Sequence, residues 1–479
     1  MRTIPRLAGM ALLGLTLGST SAAIAAEDLT ALLDKGKAVA TAADCMACHT
    51  APKTGQPFAG GYGIVSPLGT IYSSNITPSK AFGIGDYSQE DFERAVRKGI
   101  RKDGAHLYPA MPYDAYGAIS DDDMQALYAY FMHGVQPVEE APKNATQLPF
   151  PFNIRLSMAA WNLLFADRSP FVPDASKSDE INRGAYLAGA LGHCASCHAP
   201  RNLLMGQSAD AALTGGFVGP WYAPNITSDP ISGIGAWSEA DLVRYFRTGH
   251  LDGKAQAAGG MAEAVQNSLQ HLPESDLKAL AAYLKSTPAV RDPADKKAAH
   301  DFGAKASDEP SIRGLFLPNA HESLKTGAEL YSGYCASCHQ PDGAGSTNQA
   351  YPSLFHNSAT GARNPANLVA TILFGVEREV GGQEVLMPGF GSQSYVTPLT
   401  DGQIADIANY VLTRFGNPDA NVTPDDVAIA RKGGPVPFLA SVQPYILPAT
   451  VAAGLIVILI IAAIVMSRTA RRKAAVSAT

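Results

Sequence analysis

One five-residue pattern occurs three times in the sequence, and its residue types suit the attachment of a metal-containing cofactor. Cys45–His49 reads C-M-A-C-H, while Cys194–His198 and Cys335–His339 both read C-A-S-C-H. C-x-x-C-H is the attachment signature of c-type haem. Two thiols one helical turn apart bond to the vinyl groups of the porphyrin, and the histidine that follows binds the iron. The sequence therefore predicts three covalently bound haem c groups.

Zinc sites and disulfides are the alternative interpretations of these cysteines. Two C-x-x-C pairs together form a four-ligand zinc site, but three pairs do not divide into such sites. A disulfide within each pair would leave the following histidine without a role. All six cysteines of the chain lie in the three motifs, which favours haem. The predicted covalent attachment residues are Cys45, Cys48, Cys194, Cys197, Cys335 and Cys338, and the predicted proximal iron ligands are His49, His198 and His339.

Three methionines are predicted as the distal iron ligands. Met111 lies in P-A-M-P, Met387 lies in L-M-P-G, and Met261 follows two glycines. They stand 62, 48 and 63 residues after the histidine of the preceding motif. Methionine opposite histidine raises the reduction potential of the iron and suits electron transfer. A lone methionine is otherwise a core residue, and His106, His250 and His271 are the competing ligands.

No motif for substrate chemistry accompanies the haem motifs. The sequence has no P-loop and no G-x-G-x-x-G after a predicted strand. If each iron has two axial ligands, none offers an open position for a small substrate. The net charge of −6 gives no indication of a nucleic-acid partner. The chain is therefore predicted to transfer electrons.

The elements that position the motifs are predicted to be helices. A helix such as 183–192 leads into each motif, and an amphipathic helix closes each domain. Ser120 and Thr400 are predicted N-caps, and Thr400 forms a capping box with Gln403. The fold class is therefore predicted to be all-α, with three tandem cytochrome c domains. The closing helices carry apolar side chains at helical spacing: Met124, Leu127, Tyr128 and Phe131; Leu277, Leu280, Ala281 and Leu284; Ile404, Ile407, Ala408 and Val411.

The first two domains look like duplicates. Residues 75–77 and 225–227 both read N-I-T, and G-I-G follows at residues 83–85 and 233–235. Both pairs are offset by 150 residues, which indicates an internal repeat. The N-I-T triplets are interpreted as loops at the haem edge rather than glycosylation sites.

The two ends of the chain predict export and membrane attachment. Arg2 and Arg6 precede an apolar stretch and an A-x-A site at residues 23–25, the pattern of a secretory signal peptide. Tyr445–Met466 is apolar and uncharged, and its 22 residues reach about 33 Å as a helix, enough to cross a bilayer core of about 30 Å. A basic tail follows, which the positive-inside rule places in the cytoplasm. The haem domains are therefore expected on the periplasmic side of a bacterial inner membrane.

These signals divide the chain into successive segments. The predicted segments are a signal peptide at 1–25, cytochrome c domains at 27–136, 179–288 and 323–418, linkers at 137–178 and 289–322, a juxtamembrane linker at 419–444, a transmembrane helix at 445–466 and a cytoplasmic tail at 467–479.

The mature chain resembles a known family, the triheme cytochrome c subunits of bacterial membrane-bound dehydrogenases. The resemblance rests on the three motif-bearing domains and on four further blocks. The blocks are G-T-I-Y-S-S-N-I-T at 69–77, Y-P-A-M-P-Y at 108–113, the repeat of N-I-T and G-I-G, and L-M-P-G-F at 386–390. In residues 143–155 and in its C-terminal span the chain is similar to the cytochrome subunits of flavoprotein gluconate, sorbitol and fructose dehydrogenases. The haem domains are also similar to the cytochrome subunit of quinoprotein alcohol dehydrogenase.

The resemblance implies a role and a set of partners. A large catalytic subunit containing FAD would oxidise a sugar, sugar acid or polyol, with a small third subunit beside it. The cytochrome subunit would pass the electrons to ubiquinone and anchor the complex. Alternatives are the cytochrome subunit of a quinoprotein alcohol or molybdenum aldehyde dehydrogenase, a free-standing membrane cytochrome, and a haem enzyme such as a peroxidase.

Overall fold

The computed structural model describes residues 14–66, 68–166, 169–312 and 324–476. Helices dominate this part of the chain, and four two-stranded antiparallel hairpins accompany them. The prediction of an all-α fold is therefore wrong for these hairpins. Their strands are two to five residues long, too short for an alternating pattern to be recognised in the sequence.

The first domain is built around α1 and α5, which pack together. Ser120 caps α5, since its hydroxyl accepts from the Asp123 backbone N–H, as predicted. Met124, Leu127 and Phe131 are buried, as the helical spacing predicted. Residues 1–13 of the predicted signal peptide lie outside the described residues, and α1 continues through the predicted cleavage position. The elements are α1 (Gly14–Ala42), α2 (Cys45–His49), β1 (Gly63–Ser66), β2 (Gly69–Tyr72), α3 (Gln89–Lys98), α4 (Tyr113–Tyr116), α5 (Asp121–Ala129) and a π-turn (Tyr130–Gly134).

The second domain repeats this plan after one intervening helix, α6 (Ser157–Phe165), which lies in the segment assigned as the first linker. Its opening helix α7 begins earlier than the expected residue 183, because Ser178 caps it by accepting from the Ile181 N–H. The elements are α7 (Asp179–Tyr186), a π-turn (Leu187–Leu191), α8 (Ala195–His198), β3 (Gly216–Val218), β4 (Trp221–Ala223), α9 (Glu239–Thr248), β5 (His250–Leu251), β6 (Ala255–Gln256), α10 (Gly259–Asn267) and α11 (Glu274–Ser286).

The third domain has its own hydrophobic core, whereas the first two domains share one continuous core. Thr400 and Gln403 form the predicted capping box at the start of the closing helix. The elements are α12 (Glu309–Ile312), α13 (Gly327–Tyr334), α14 (Ala336–His339), α15 (Ser358–Gly361), α16 (Ala366–Phe374), β7 (Val376–Val380), β8 (Gln383–Met387) and α17 (Asp401–Phe415).

The segment 419–444, assigned as a juxtamembrane linker, is largely helical. It holds α18 (Pro424–Arg431), which packs on α16 and α17. Thr423 and Asp426 cap α18, with Pro424 at its first turn. The last helix, α19 (Phe438–Val476), begins before the predicted span and contains it. Among the described helices, α19 is the one long and apolar enough to cross a membrane, and none of that stretch is buried.

In all three domains the first and last helices cross at a glycine. A Cβ atom at this glycine would collide with a backbone carbonyl oxygen of the last helix, so only glycine permits the close approach. The pairs, with the distance from the added Cβ to the oxygen, are Gly36 with Ala126 (2.0 Å), Gly184 with Ala279 (2.0 Å) and Gly327 with Asp406 (2.3 Å). The same crossing therefore supports the motif in every domain.

The N-I-T triplets form identical turns in the first two domains. The Asn75 side-chain oxygen accepts from the Thr77 backbone N–H at 2.8 Å and from its hydroxyl at 2.7 Å. Asn225 makes the same two bonds to Thr227 at 2.8 and 2.7 Å. Each asparagine amide also donates to the backbone of the segment that follows its domain. The triplets are thus folded loop elements that hold the domain ends.

Candidate functional site

All twelve predicted cofactor residues line one continuous cavity of about 1700 Å³. The cavity runs through all three domains and is bordered mainly by the motif helices, the hairpins and the helices that close each domain. A pocket for one drug-sized ligand has roughly 300–1,000 Å³, so this cavity has room for more than one group. The lining includes Cys45, Cys48, Cys194, Cys197, Cys335, Cys338, His49, His198, His339, Met111, Met261 and Met387.

The three motif histidines are held in the same way. In each, Nδ1 lies within hydrogen-bond distance of a backbone carbonyl oxygen, which can only accept, so Nδ1 carries the hydrogen and Nε2 is left to bind a metal. Burial lowers the pKa of each of these histidines, which favours the neutral form that metal ligation requires. The pairs are His49 with Ser74 (2.7 Å), His198 with Pro224 (2.6 Å) and His339 with Pro352 (2.9 Å).

The six cysteines are free thiols arranged in three sequential pairs. Burial raises the pKa of Cys45, Cys194 and Cys335 to about 12. Burial also raises the pKa of Cys48 to about 12. The first and second motifs are neighbours, since the Tyr116 hydroxyl donates to the Ala43 carbonyl at 2.6 Å and the centroid of the Tyr116 ring lies 5.6 Å from that of His193.

The three methionines sit at the edges of short structural elements that face the cavity. Met111 lies in a turn just before α4, where its backbone N–H donates to the Tyr108 carbonyl at 3.1 Å. Met261 lies in the first turn of α10. Met387 ends β8 and pairs with Val376 of β7. Each side chain thus projects from an element whose backbone is fixed.

The competing histidines do not line the cavity and are engaged elsewhere. Both ring nitrogens of His250 contact polar side chains, those of Asp252 and Gln256. The His271 Nε2 lies 3.0 Å from the Gln266 carbonyl oxygen. His106 faces Asn162, with 3.4 Å between its Nδ1 and the amide nitrogen. These three histidines are thus held outside the cavity, whereas Met111, Met261 and Met387 line it.

The residues that line the cavity fit haem c better than a zinc ion. Each paired thiol set is followed by a histidine whose Nε2 is available, and a methionine lines the same cavity in each domain. Within the described ranges, no three His, Cys, Asp or Glu side chains converge as a metal-ion site. The donor set is thus that of an iron porphyrin held by thioethers and axial ligands.

Comparison with known proteins identifies the family. The profile of the family described as Cytochrome c matches residues 33–134 and 324–414. The fructose dehydrogenase cytochrome subunit of Gluconobacter japonicus is 49% identical over 85% of this chain and 85% of its own length. The chain belongs to the family of dehydrogenase cytochrome c subunits.

Two further relatives support the same conclusion for this cytochrome subunit. The gluconate 2-dehydrogenase cytochrome c subunit of Pantoea cypripedii is 41% identical over 88% of this chain and 95% of its own length. The cytochrome c subunit of the quinone alcohol dehydrogenase of Gluconobacter oxydans is 40% identical over 88% of this chain and 87% of its own length. The role is therefore electron transfer with covalently bound haem c, as predicted, and a catalytic subunit is the implied partner.

Arg378 is a residue of the cytochrome subunit that sequence reasoning missed. It lies on β7 and is 2% exposed, yet no described carboxylate forms an ion pair with it. Its guanidinium donates to the Ala257 carbonyl at 2.6 Å and to the Gln256 side chain at 3.0 Å, while its buried Nε has no partner. Ala257 lies four residues before Met261, so Arg378 links the segment that carries this predicted distal ligand to the third domain. The sequence V-E-R-E-V could have indicated that this arginine is buried, because side chains alternate along a strand and Arg378 falls on the same face as the two valines.

Further contacts fix the domains relative to one another. Asn367 of α16 bonds both backbone groups of Tyr222, accepting from its N–H at 2.9 Å and donating to its carbonyl at 2.8 Å. Between the first two domains, the Tyr186 hydroxyl donates to Asp123 at 2.7 Å. The motif-bearing domains therefore form one connected body.

Substitution Met261→Ala is expected to open one iron to carbon monoxide. Removal of the thioether leaves that iron with an open axial position, so about one third of the haem should bind carbon monoxide, measured from the absorption change of the reduced protein. Met46→Ala, which changes an exposed methionine inside the first motif, should leave carbon monoxide binding at the wild-type level. Stoichiometric binding by the unmodified protein would contradict methionine ligation.

Substitution Arg378→Leu is expected to lower the reduction potential of the second-domain haem, because a buried positive charge favours the reduced iron. At an effective dielectric constant of about 20, loss of a buried unit charge near a redox centre is expected to shift its potential by roughly tens of millivolts. A spectroelectrochemical titration would resolve it. Glu379→Gln, on the exposed face of the same strand, is the control and should shift the potentials much less. Equal titration curves for Arg378→Leu and the unmodified protein would contradict the role assigned to Arg378.

Proposed function

We propose that this cytochrome subunit carries three haem c groups and passes electrons from a catalytic dehydrogenase subunit to ubiquinone in the bacterial inner membrane. The observation that carries the proposal is the single cavity that all twelve predicted haem-binding residues line. The iron of each group would supply reversible one-electron chemistry. The distances between the three sites and their reduction potentials would be set by the residues of the chain.

The chain's own residues would hold each group in one position. The two cysteine thiols of each motif would attach the porphyrin to the motif helix, and the histidine that follows would bind through Nε2, which its carbonyl partner at Nδ1 orients. Met111, Met261 and Met387 would complete the ligand sets and raise the potentials. With one histidine and one methionine of the chain holding each iron, the site would exchange electrons without binding a substrate.

The arrangement of the domains supports sequential transfer. Tyr116 contacts the residues that precede the first and second motifs, and the third domain is held to the second through Arg378 and Asn367. Electron tunnelling slows steeply with distance, so contacts that keep neighbouring sites close serve this function directly.

The electron donor is proposed to be a large FAD-containing subunit that oxidises a sugar, sugar acid or polyol, accompanied by a small third subunit. The 49% and 41% identities to the cytochrome subunits of fructose and gluconate dehydrogenases support this donor class. The 40% identity to a quinone alcohol dehydrogenase subunit makes a quinoprotein donor the second candidate.

Membrane attachment is proposed to occur through α19, with the haem domains in the periplasm and the basic tail in the cytoplasm. Its exposed apolar side chains and its length support a spanning helix. Arg468, Arg471, Arg472 and Lys473 follow the apolar run and support this orientation.

Purification of the full chain in mild detergent, followed by identification of what accompanies it, tests the proposal. A large flavin-containing partner that reduces a ubiquinone analogue with fructose, gluconate or sorbitol would support it. If the partner contains pyrroloquinoline quinone or molybdopterin, the electron-transfer role of this chain stands and the proposed class of electron donor is wrong. Absence of any partner would favour a free-standing cytochrome and contradict the proposed complex.

A further inference from the structure

The helix α6 exposes an apolar face at the surface. Leu156 is 73% exposed, Leu163 85% and Leu164 64%, and their spacing places them on one face with the exposed Ala160. The opposite side is buried and contains Met158 and Asn162, which are 8% and 1% exposed. The helix is therefore apolar on both sides, whereas a helix on a water-exposed surface normally carries polar side chains on its outer face.

Two hydrogen bonds fix the rotation of α6 about its own axis. The Tyr113 hydroxyl donates to the Asn162 side-chain oxygen at 2.7 Å, and the Trp161 indole N–H donates to the Leu204 carbonyl at 3.0 Å. Rotating α6 to bury its leucines would break both bonds and leave the Asn162 amide without partners. The apolar face is therefore a stable feature of the surface.

The loop after the second motif extends this face. Leu203 is 66% exposed and Leu204 45%, and the Trp161 bond joins this loop to α6. We call the exposed side chains of Leu156, Leu163, Leu164, Leu203 and Leu204 the outer apolar patch. Exposed apolar patches of this kind mark interaction surfaces.

The position of the patch relative to α19 identifies what covers it. The Gln443 amide donates to the Phe150 carbonyl at 2.9 Å, two residues before the apolar run that starts at Tyr445. If α19 spans the bilayer, Gln443 lies at the membrane surface and holds Phe150 there. Ser157, where α6 begins, is seven residues further on and so at most about 25 Å away. Exposed Val436 and Phe438 flank the same entry point.

We propose that the outer apolar patch rests in the lipid headgroup region of the membrane, as a second, monotopic contact beside α19. This inference depends on the proposed spanning role of α19. An apolar helix face that lies in the interface plane is a known mode of membrane contact. The contact would hold the haem domains in one orientation against the bilayer instead of leaving them free to tilt about the base of α19.

Site-specific photocrosslinking in native membranes tests the proposal with the full chain. The photoreactive residue p-benzoylphenylalanine replaces Leu163, and in a control variant it replaces Phe82, an exposed aromatic residue of the first domain (45% exposed). After irradiation, mass spectrometry should find lipid adducts at position 163, at least several-fold above those at position 82.

Each other outcome overturns the proposal. A crosslink from position 163 to the catalytic subunit or to a second copy of this chain would identify the patch as a protein interface. Absence of any adduct would place it in water. Extraction of the same membranes with alkaline carbonate tests α19 separately, because a spanning helix keeps the chain in the membrane whether or not α6 touches lipid. The adducts do not depend on electron transfer, so failure of the proposed function is distinguishable.

Discussion

Replacing Cys194 and Cys197 together by alanine is expected to lower the haem content from three groups per chain to two. Both covalent bonds of the second site are lost, while the first and third motifs keep their thiols. His198 and Met261 alone hold a porphyrin non-covalently, and the denaturing conditions of a pyridine haemochrome assay would release it from the chain. The ratio of covalent haem to protein, together with the intact mass, measures the result.

The matched control for this loss is Ser196→Ala, which changes a residue between the two cysteines and removes no attachment atom. It should retain three haem groups. A double variant that still carries three groups would contradict attachment at the second motif. Two groups in the unmodified protein would contradict the count of three.

Substitution Gly184→Ala is expected to destabilise the second domain although alanine is the better helix former. Exposed glycine-to-alanine changes in a helix usually stabilise by about 1 kcal/mol. Here the added Cβ would lie 2.0 Å from the Ala279 carbonyl oxygen, and α7 and α11 would have to separate. Overpacking of this kind costs roughly 1–3 kcal/mol or more. Thermal unfolding followed by the haem absorption should show a lower transition temperature for the variant.

Gly189→Ala provides the comparison within the same segment, because a Cβ at Gly189 meets nothing within 4 Å. It should leave the transition temperature unchanged or raise it. If both variants behave alike, the close crossing of α7 and α11 does not limit stability. The equivalent substitutions Gly36→Ala and Gly327→Ala should affect the first and third domains in the same way.

The haem residues were predictable because covalent attachment imposes a local pattern. Two thiols and a histidine must lie within five residues, so each motif is complete in the sequence. The distal ligands carry a weaker signal, since the methionines proposed for this role lie 48 to 63 residues after their histidines, and only the repeat, with spacings of 62 and 63 for Met111 and Met261, supports the choice. The capping box of Thr400 and Gln403 was likewise a local signal, and the structure contains it.

The features that sequence reasoning missed are those that depend on contacts between distant segments. The carbonyl partners of the motif histidines are backbone groups, which any residue type supplies, so Ser74, Pro224 and Pro352 carried no signal. The glycines at the helix crossings cannot be distinguished from other glycines in the sequence, because their role depends on the position of the opposite helix. The hairpins were missed because their strands are short, and α18 was missed although Thr423, Pro424 and Asp426 mark its start.

The contacts across the domain boundaries have a consequence for the kinetics of the protein. Asn367 forms hydrogen bonds with the backbone of Tyr222, Arg378 donates to the Ala257 carbonyl, and the first two domains share one hydrophobic core. The sites therefore do not have to find each other by tethered diffusion, as they would in domains joined by flexible linkers. Electron movement within the chain is then insensitive to solvent viscosity. Thickening the medium with glycerol would slow only the encounters with diffusing partners.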